Sequence, residues 1–130
     1  MRTYVLIVLA IAGSYYYVTR KVELNDPLAY AAKHKKQSWA PAADYYIGVA
    51  YYQRSDYPRA QAAFTQLLAD HATSYYSEKG LMYLADTAEE NRDYEAAKAA
   101  LARYLEEHPE GKDKERATKK LDFLRYKHGP

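Results

Sequence analysis

Slid along itself by 37 residues, the chain matches its own sequence. Asp56-Tyr57 falls on Asp93-Tyr94, Ala60 on Ala97, Leu68 on Leu105 and His71 on His108, while Ile47-Gly48 meets Leu84-Ala85 and Phe64 meets Leu101. A self-match at fixed period means one supersecondary unit written twice and stacked, so the chain between residues 40 and 109 cannot be read as a single closed core. Apolar residues recur at helical spacing within each unit, and Ala, the best helix former, is abundant there. The periodicity predicts helices over about 41–54, 57–71, 75–91 and 94–108, with tight turns at Ser55-Asp56 and Arg92-Asp93. Pro58 sits in a first turn, where its missing N–H costs nothing, and Pro109-Glu110-Gly111 stops the fourth helix.

These units resemble the tetratricopeptide repeat. In that family the first helix carries a large apolar residue, then a small one, then an aromatic three positions on; the second helix carries a small residue and a bulky one four positions later. Here the positions hold Ile47, Gly48, Tyr51, Ala60 and Phe64 in the first unit, and Leu84, Ala85, Ala97 and Leu101 in the second, with Ala88 at the aromatic place. Small residues let two helix backbones approach, and Phe64 or Leu101 fills the space beside them. The sequence departs from the family at Asp44 and Leu81, where a Trp is usual, and at Ala72, where the first unit lacks its closing Pro. The period of 37 exceeds the usual ~34, which places an insertion around residues 72–77. The resemblance implies an all-α stack of helical hairpins, right-handed in its superhelix, with repeats at about 40–74 and 77–111. It is similar in particular to the envelope tetratricopeptide proteins of Gram-negative bacteria, including the outer-membrane-assembly lipoprotein and the Tol–Pal accessory protein. Those carry a lipid on a Cys, and this sequence has no Cys.

Segments on either side complete the plan. Residues 20–39 form a basic collar in which Asn25-Asp26-Pro27 starts a short helix reaching about Gln37. Residues 112–130 read as a polar-backed helix, about 112–127, with Ala117, Leu121 and Leu124 on one side. A helix stack leaves its last apolar face bare, and a helix of this kind is the expected cap.

Residues 3–18 contain no charged side chain. Arg2 precedes them and Arg20-Lys21 follow, while Tyr15, Tyr16 and Tyr17 suit an interfacial aromatic belt. Sixteen residues make about 24 Å of helix, slightly short of a ~30 Å hydrocarbon core. The competing reading is a signal peptide cleaved after Ala10-Ile11-Ala12, before Gly13. The expectation is a retained single-pass anchor in the bilayer over residues 1–19, with the following domain on the periplasmic side. The positive residues Arg20, Lys21, Lys33, Lys35 and Lys36 argue for the cytoplasmic alternative.

Composition excludes several classes of chemistry. Without Cys there is no disulfide, thiolate metal site or Cys nucleophile. A net charge of +2, and a last helix whose Lys and Arg are interleaved with acids, argue against a nucleic-acid partner. Phosphate-binding, zinc-protease and hydrolase motifs are missing. His71 and His108 occupy equivalent helix ends, where a cation complements the dipole. Neither catalytic residues, a cofactor nor a metal ligand set is expected.

What is left is surface. The resemblance implies a concave groove lined by the first helices, here Tyr45, Val49, Tyr52 and Gln53 from the first unit and Lys79, Met82, Asp86, Glu89 and Glu90 from the second. A Tyr-rich wall would face a mostly acidic one, an arrangement suited to a peptide or helix partner. Alternatively Tyr45, Val49 and Tyr52 pack against the helix begun at Pro27. The expected function is that of a membrane-anchored interaction module, an adaptor, assembly or accessory subunit of a larger membrane complex. The alternative is a cleaved, soluble, periplasmic chaperone-like binder.

Overall fold

The computed structural model describes residues 2–21 and 26–130, with the backbone alone for residues 2 and 15–21. Helices make up the described architecture, in the order α1 (Arg2–Lys21), α2 (Pro27–Lys33), α3 (Ala40–Gln53), α4 (Tyr57–Asp70), α5 (Ser77–Glu90), α6 (Tyr94–Glu107) and α7 (Lys114–His128). No strand occurs among the described residues. From α3 onward each helix packs on the next, and α3 also touches α5, the equivalent helix of the second unit. α2 leans on both α3 and α4.

The two hairpin turns are built alike because their sequences place the same demands on the backbone. Ser55 and Arg92, which are repeat equivalents, both take φ = 59°, the left-handed conformation that ends a helix. Beyond each, the N–H of Asp56 donates to Tyr51 O at 2.9 Å and that of Asp93 to Ala88 O at 2.8 Å, satisfying a carbonyl the helix leaves open. The Asp then caps the following helix: Asp56 accepts from the Arg59 N–H and Asp93 from the Ala96 N–H. Asp26 does the same for α2, accepting from Ala29 at 3.0 Å. α2 ends at Lys33, short of Gln37, because the N–H of His34 turns back onto Tyr30 O and Ala31 O and the chain enters a turn.

Two apolar clusters hold the stack. The first gathers Tyr45, Ala60, Phe64 and Leu67, with Val49, Tyr51, Tyr52, Tyr76, Tyr83 and Leu84 packed around them. The second joins α5, α6 and α7 through Leu81, Ala85, Ala97, Leu101, Tyr104, Ala117, Leu121 and Leu124, and takes in Leu68 from α4. Gly48 leaves room for the Phe64 ring: a Cβ there would lie 2.7 Å from it. Phe64 is fully buried and stacks on Tyr83 of α5, centroids 5.1 Å apart. Tyr51 and Leu84 are half-buried at the edges of the clusters, and Ile47 is half-buried outside both. α7 covers the end of the stack with Ala117, Leu121 and Leu124, each nearly inaccessible.

No described helix is long and apolar enough to cross a membrane, which corrects the expected transmembrane span. Residues 3–14 of α1 are exposed, but their apolar run ends at Ser14 and is followed within the same helix by three Tyr, Val, Thr, Arg and Lys. The anchor-flank side chains of Arg2, Tyr15, Tyr16, Tyr17 and Arg20 lie outside the described residues.

Candidate interaction groove

The residues expected to line a groove divide in the structure. Tyr45 is buried against Phe64, Tyr76 and Tyr83, so its ring belongs to the core. Val49 is half-buried at the edge of the same cluster. The cover over Tyr45 comes from α5 and the segment before it; α2 lies on the other side of the hairpin, beside Tyr51, Arg59 and Ala62. Gln53 and Glu90 are exposed at the helix ends.

Tyr52, Lys79, Met82 and Asp86 do come together, joined by Tyr83, Asp113 and Arg116, around a cavity of about 350 Å³ between α3, α5 and the start of α7. Helical spacing explains the set. Lys79, Met82, Tyr83 and Asp86 lie three or four residues apart along α5 and so share a face. Tyr52 meets Tyr83 edge to face at 5.6 Å. Burial raises the Tyr52 phenol above its ordinary range, and the Asp86 and Glu90 carboxylates push it further in the same direction.

The wall expected to be acidic is neutralised from within. Arg116 donates to Asp86 at 2.6 Å, and Lys120 reaches both Asp86 at 2.5 Å and Glu89 at 2.9 Å. Burial acts to lower the Lys120 pKa, but its hydrogen bonds to Asp86 and Glu89 outweigh that and hold it above the usual lysine range. Repeat mapping stops before α7 and so misses Arg116 and Asp113. A signal was nevertheless present, since Arg116 and Lys120 share one face of the last helix, one turn apart, as Asp86 and Glu89 do on α5. Tyr83 was legible in the same way, one turn from both Lys79 and Asp86.

The buried polar groups lie outside this groove. Asp44 is inaccessible, and burial, opposed by the Gln66 hydrogen bond and by His71, raises its carboxyl above the usual range. His71 closes α4, its N–H donating to Leu67 O at 2.8 Å, and His108 closes α6 in the same way on Tyr104 O.

A family model described as YfiO, outer membrane lipoprotein, matches residues 34–119, about two thirds of the chain. No curated protein and no solved structure matches it. The match covers both repeats and the first residues of α7, and it agrees with the resemblance to envelope tetratricopeptide proteins. It also corrects the localisation drawn from residues 3–18. The matched proteins are outer membrane lipoproteins, held by lipid, and no described helix here could serve as a single-pass span.

Proposed function

The chain belongs to the YfiO family of outer membrane lipoproteins, and from that premise we propose that it is a protein-interaction adaptor in an envelope assembly complex. It binds a segment of a partner protein in the groove between α3, α5 and α7, and it works by binding rather than by catalysis. The observation that carries this reading is the makeup of the groove. Tyr52, Met82 and Tyr83 offer apolar and aromatic contact area, while Lys79, Asp86, Asp113 and Arg116 stand around them to fix register. Aromatic anchors ringed by charge are what a helix or extended peptide needs for affinity and orientation.

Site-specific photocrosslinking in envelopes tests it. A crosslinker at exposed Lys79 should trap one defined protein, and one at exposed Thr65, on α4, should not. Tyr52→Ala should weaken that partner's binding by about 1–2 kcal/mol if the ring is a central anchor. Equal trapping from both positions, or none from Lys79, would overturn the assignment.

A further inference from the structure

The two units differ most sharply at one buried position. Leu81 of α5 is 1% exposed and packs in the core; its equivalent in α3 is Asp44, at 0%. A carboxylate at a buried place that the second unit fills with Leu requires compensation, because burying an unpaired charge is costly. Part of it is visible. Gln66 of α4 donates through Nε2 to Asp44 Oδ1 at 3.0 Å, and the same nitrogen reaches Leu28 O of α2 at 3.0 Å. The other oxygen, Asp44 Oδ2, has no hydrogen-bond partner among the described residues, and neither does His71 Nε2. These two atoms face each other at 3.7 Å, with the Asp44 side chain 1% and the His71 side chain 9% accessible. That is too far for a hydrogen bond. Asp70, exposed at the end of α4, completes the group: one ligand atom from each of Asp44, Asp70 and His71 lies within 4.8 Å of the others.

We propose that Asp44, Asp70 and His71 bind a single first-row divalent metal ion, with zinc the best match to the donor set. An imidazole nitrogen and two carboxylate oxygens suit zinc, which takes such donors at about 2.0–2.2 Å in tetrahedral geometry. Two donors at those lengths stand roughly 3.3 Å apart, so the Asp44–His71 gap needs only a small contraction, and the exposed Asp70 carboxylate swings in to complete the set. The Gln66 contact fixes the second Asp44 oxygen, as outer hydrogen bonds do in metal sites. Asp70 leaves one side open to solvent, which supplies an entry path and a place for water as the remaining ligand. The ion would tie α3 to the end of α4 and, through Gln66, to α2. The second unit has no counterpart: Leu81 replaces Asp44, and His108 lies beside the Tyr104 ring, centroids 5.4 Å apart.

The test uses the full chain, stripped with chelator and titrated calorimetrically with zinc chloride alone. One equivalent should bind at micromolar concentration or tighter and raise the melting temperature, and cobalt should give visible absorption of a low-coordinate nitrogen–oxygen site. Asp70→Asn, at an exposed position that leaves the core intact, should weaken zinc at least tenfold with an unchanged metal-free melt. His71→Gln should abolish stoichiometric binding, whereas His108→Gln should leave it unchanged. Absence of binding to the folded wild-type chain would overturn the proposal and leave a plain Asp–His contact. So would binding that survives Asp70→Asn and His71→Gln, which would mark an adventitious ion only.

Discussion

Single side chains in this chain do different work at equivalent places, and Asp44 against Leu81 is the clearest case. Asp44 is a buried acid at the place Leu81 fills in the second unit, and one of its oxygens has no hydrogen-bond partner among the described residues. Asp44→Leu should therefore raise stability at neutral pH by about 1 kcal/mol, since well-packed apolar groups commonly do at least as well as buried ionic ones. Urea unfolding with chelator present checks this; a loss would show that the Gln66 and His71 contacts outweigh desolvation. Glu78 behaves in the opposite sense. The Tyr104 hydroxyl donates to Glu78 Oε1 at 2.8 Å and the Lys112 N–H at 3.3 Å, and the phenol's bond is the main reason the carboxyl sits below its ordinary 4.5. A depressed folded value means the unfolded chain binds the proton more readily. The stabilisation is thus present above about pH 4.5 and is lost as the pH falls through the folded value. Glu78→Gln should cost about 0.5–1 kcal/mol at pH 7, and the gap to wild type should close in acid. A gap that persists at pH 3 would assign the effect to shape instead of charge.

Among elements, the hairpin turns show what local chemistry determines. Ser55 and Arg92 hold a left-handed backbone that costs a side-chain-bearing residue roughly 1 kcal/mol or more, and Gly escapes that cost. Both are exposed. Ser55→Gly and Arg92→Gly should each raise stability by up to about 1 kcal/mol, and the gains should add if the two turns act independently. Thermal melts of the single and double variants decide it; destabilisation by either would mean that Gly's freedom in the unfolded chain dominates. These turns and the helices they separate were legible because each is set by a few neighbouring residues repeated at a fixed period. Gly48 and Phe64 were legible for the same reason, as a small residue facing a large one. Less was legible wherever the cause lies far along the chain. Tyr45 maps to a groove position, yet Tyr76 and Tyr83 close over it. The acids at 86 and 89 read as an open wall until Arg116 and Lys120 arrive from α7. Asp44 and His71 read as a missing aromatic and a helix end, since only the packed hairpin makes them neighbours. The span over residues 3–18 failed on apolar length: α1 runs 20 residues, but Ser14, three Tyr, Thr19, Arg20 and Lys21 dilute its apolar stretch below what a bilayer crossing needs.

For the whole molecule, α7 has two tasks that pull on different residues. Leu121 and Leu124 seal the apolar end of the stack, while Arg116 and Asp113 form one wall of the groove. Two repeats alone bury little core, so the cap carries a large share of the stability. Leu121→Asp would place a charge at a site only 4% exposed and should cost about 3 kcal/mol or more. With α7 displaced, the groove loses its wall, so partner binding should fall together with stability. Arg116→Ala should separate the two. Its side chain is 52% accessible and Asp86 keeps Lys120 as a partner, so the fold should lose no more than about 0.5 kcal/mol. A partner segment that reads the charges around the groove should nevertheless bind several-fold more weakly, with the deficit shrinking as salt screens the contact. Chemical unfolding and partner affinity measured on the same two variants therefore locate the interface. If Arg116→Ala leaves affinity unchanged at low salt while Leu121→Asp abolishes it, the partner depends on the intact stack but docks on a different face.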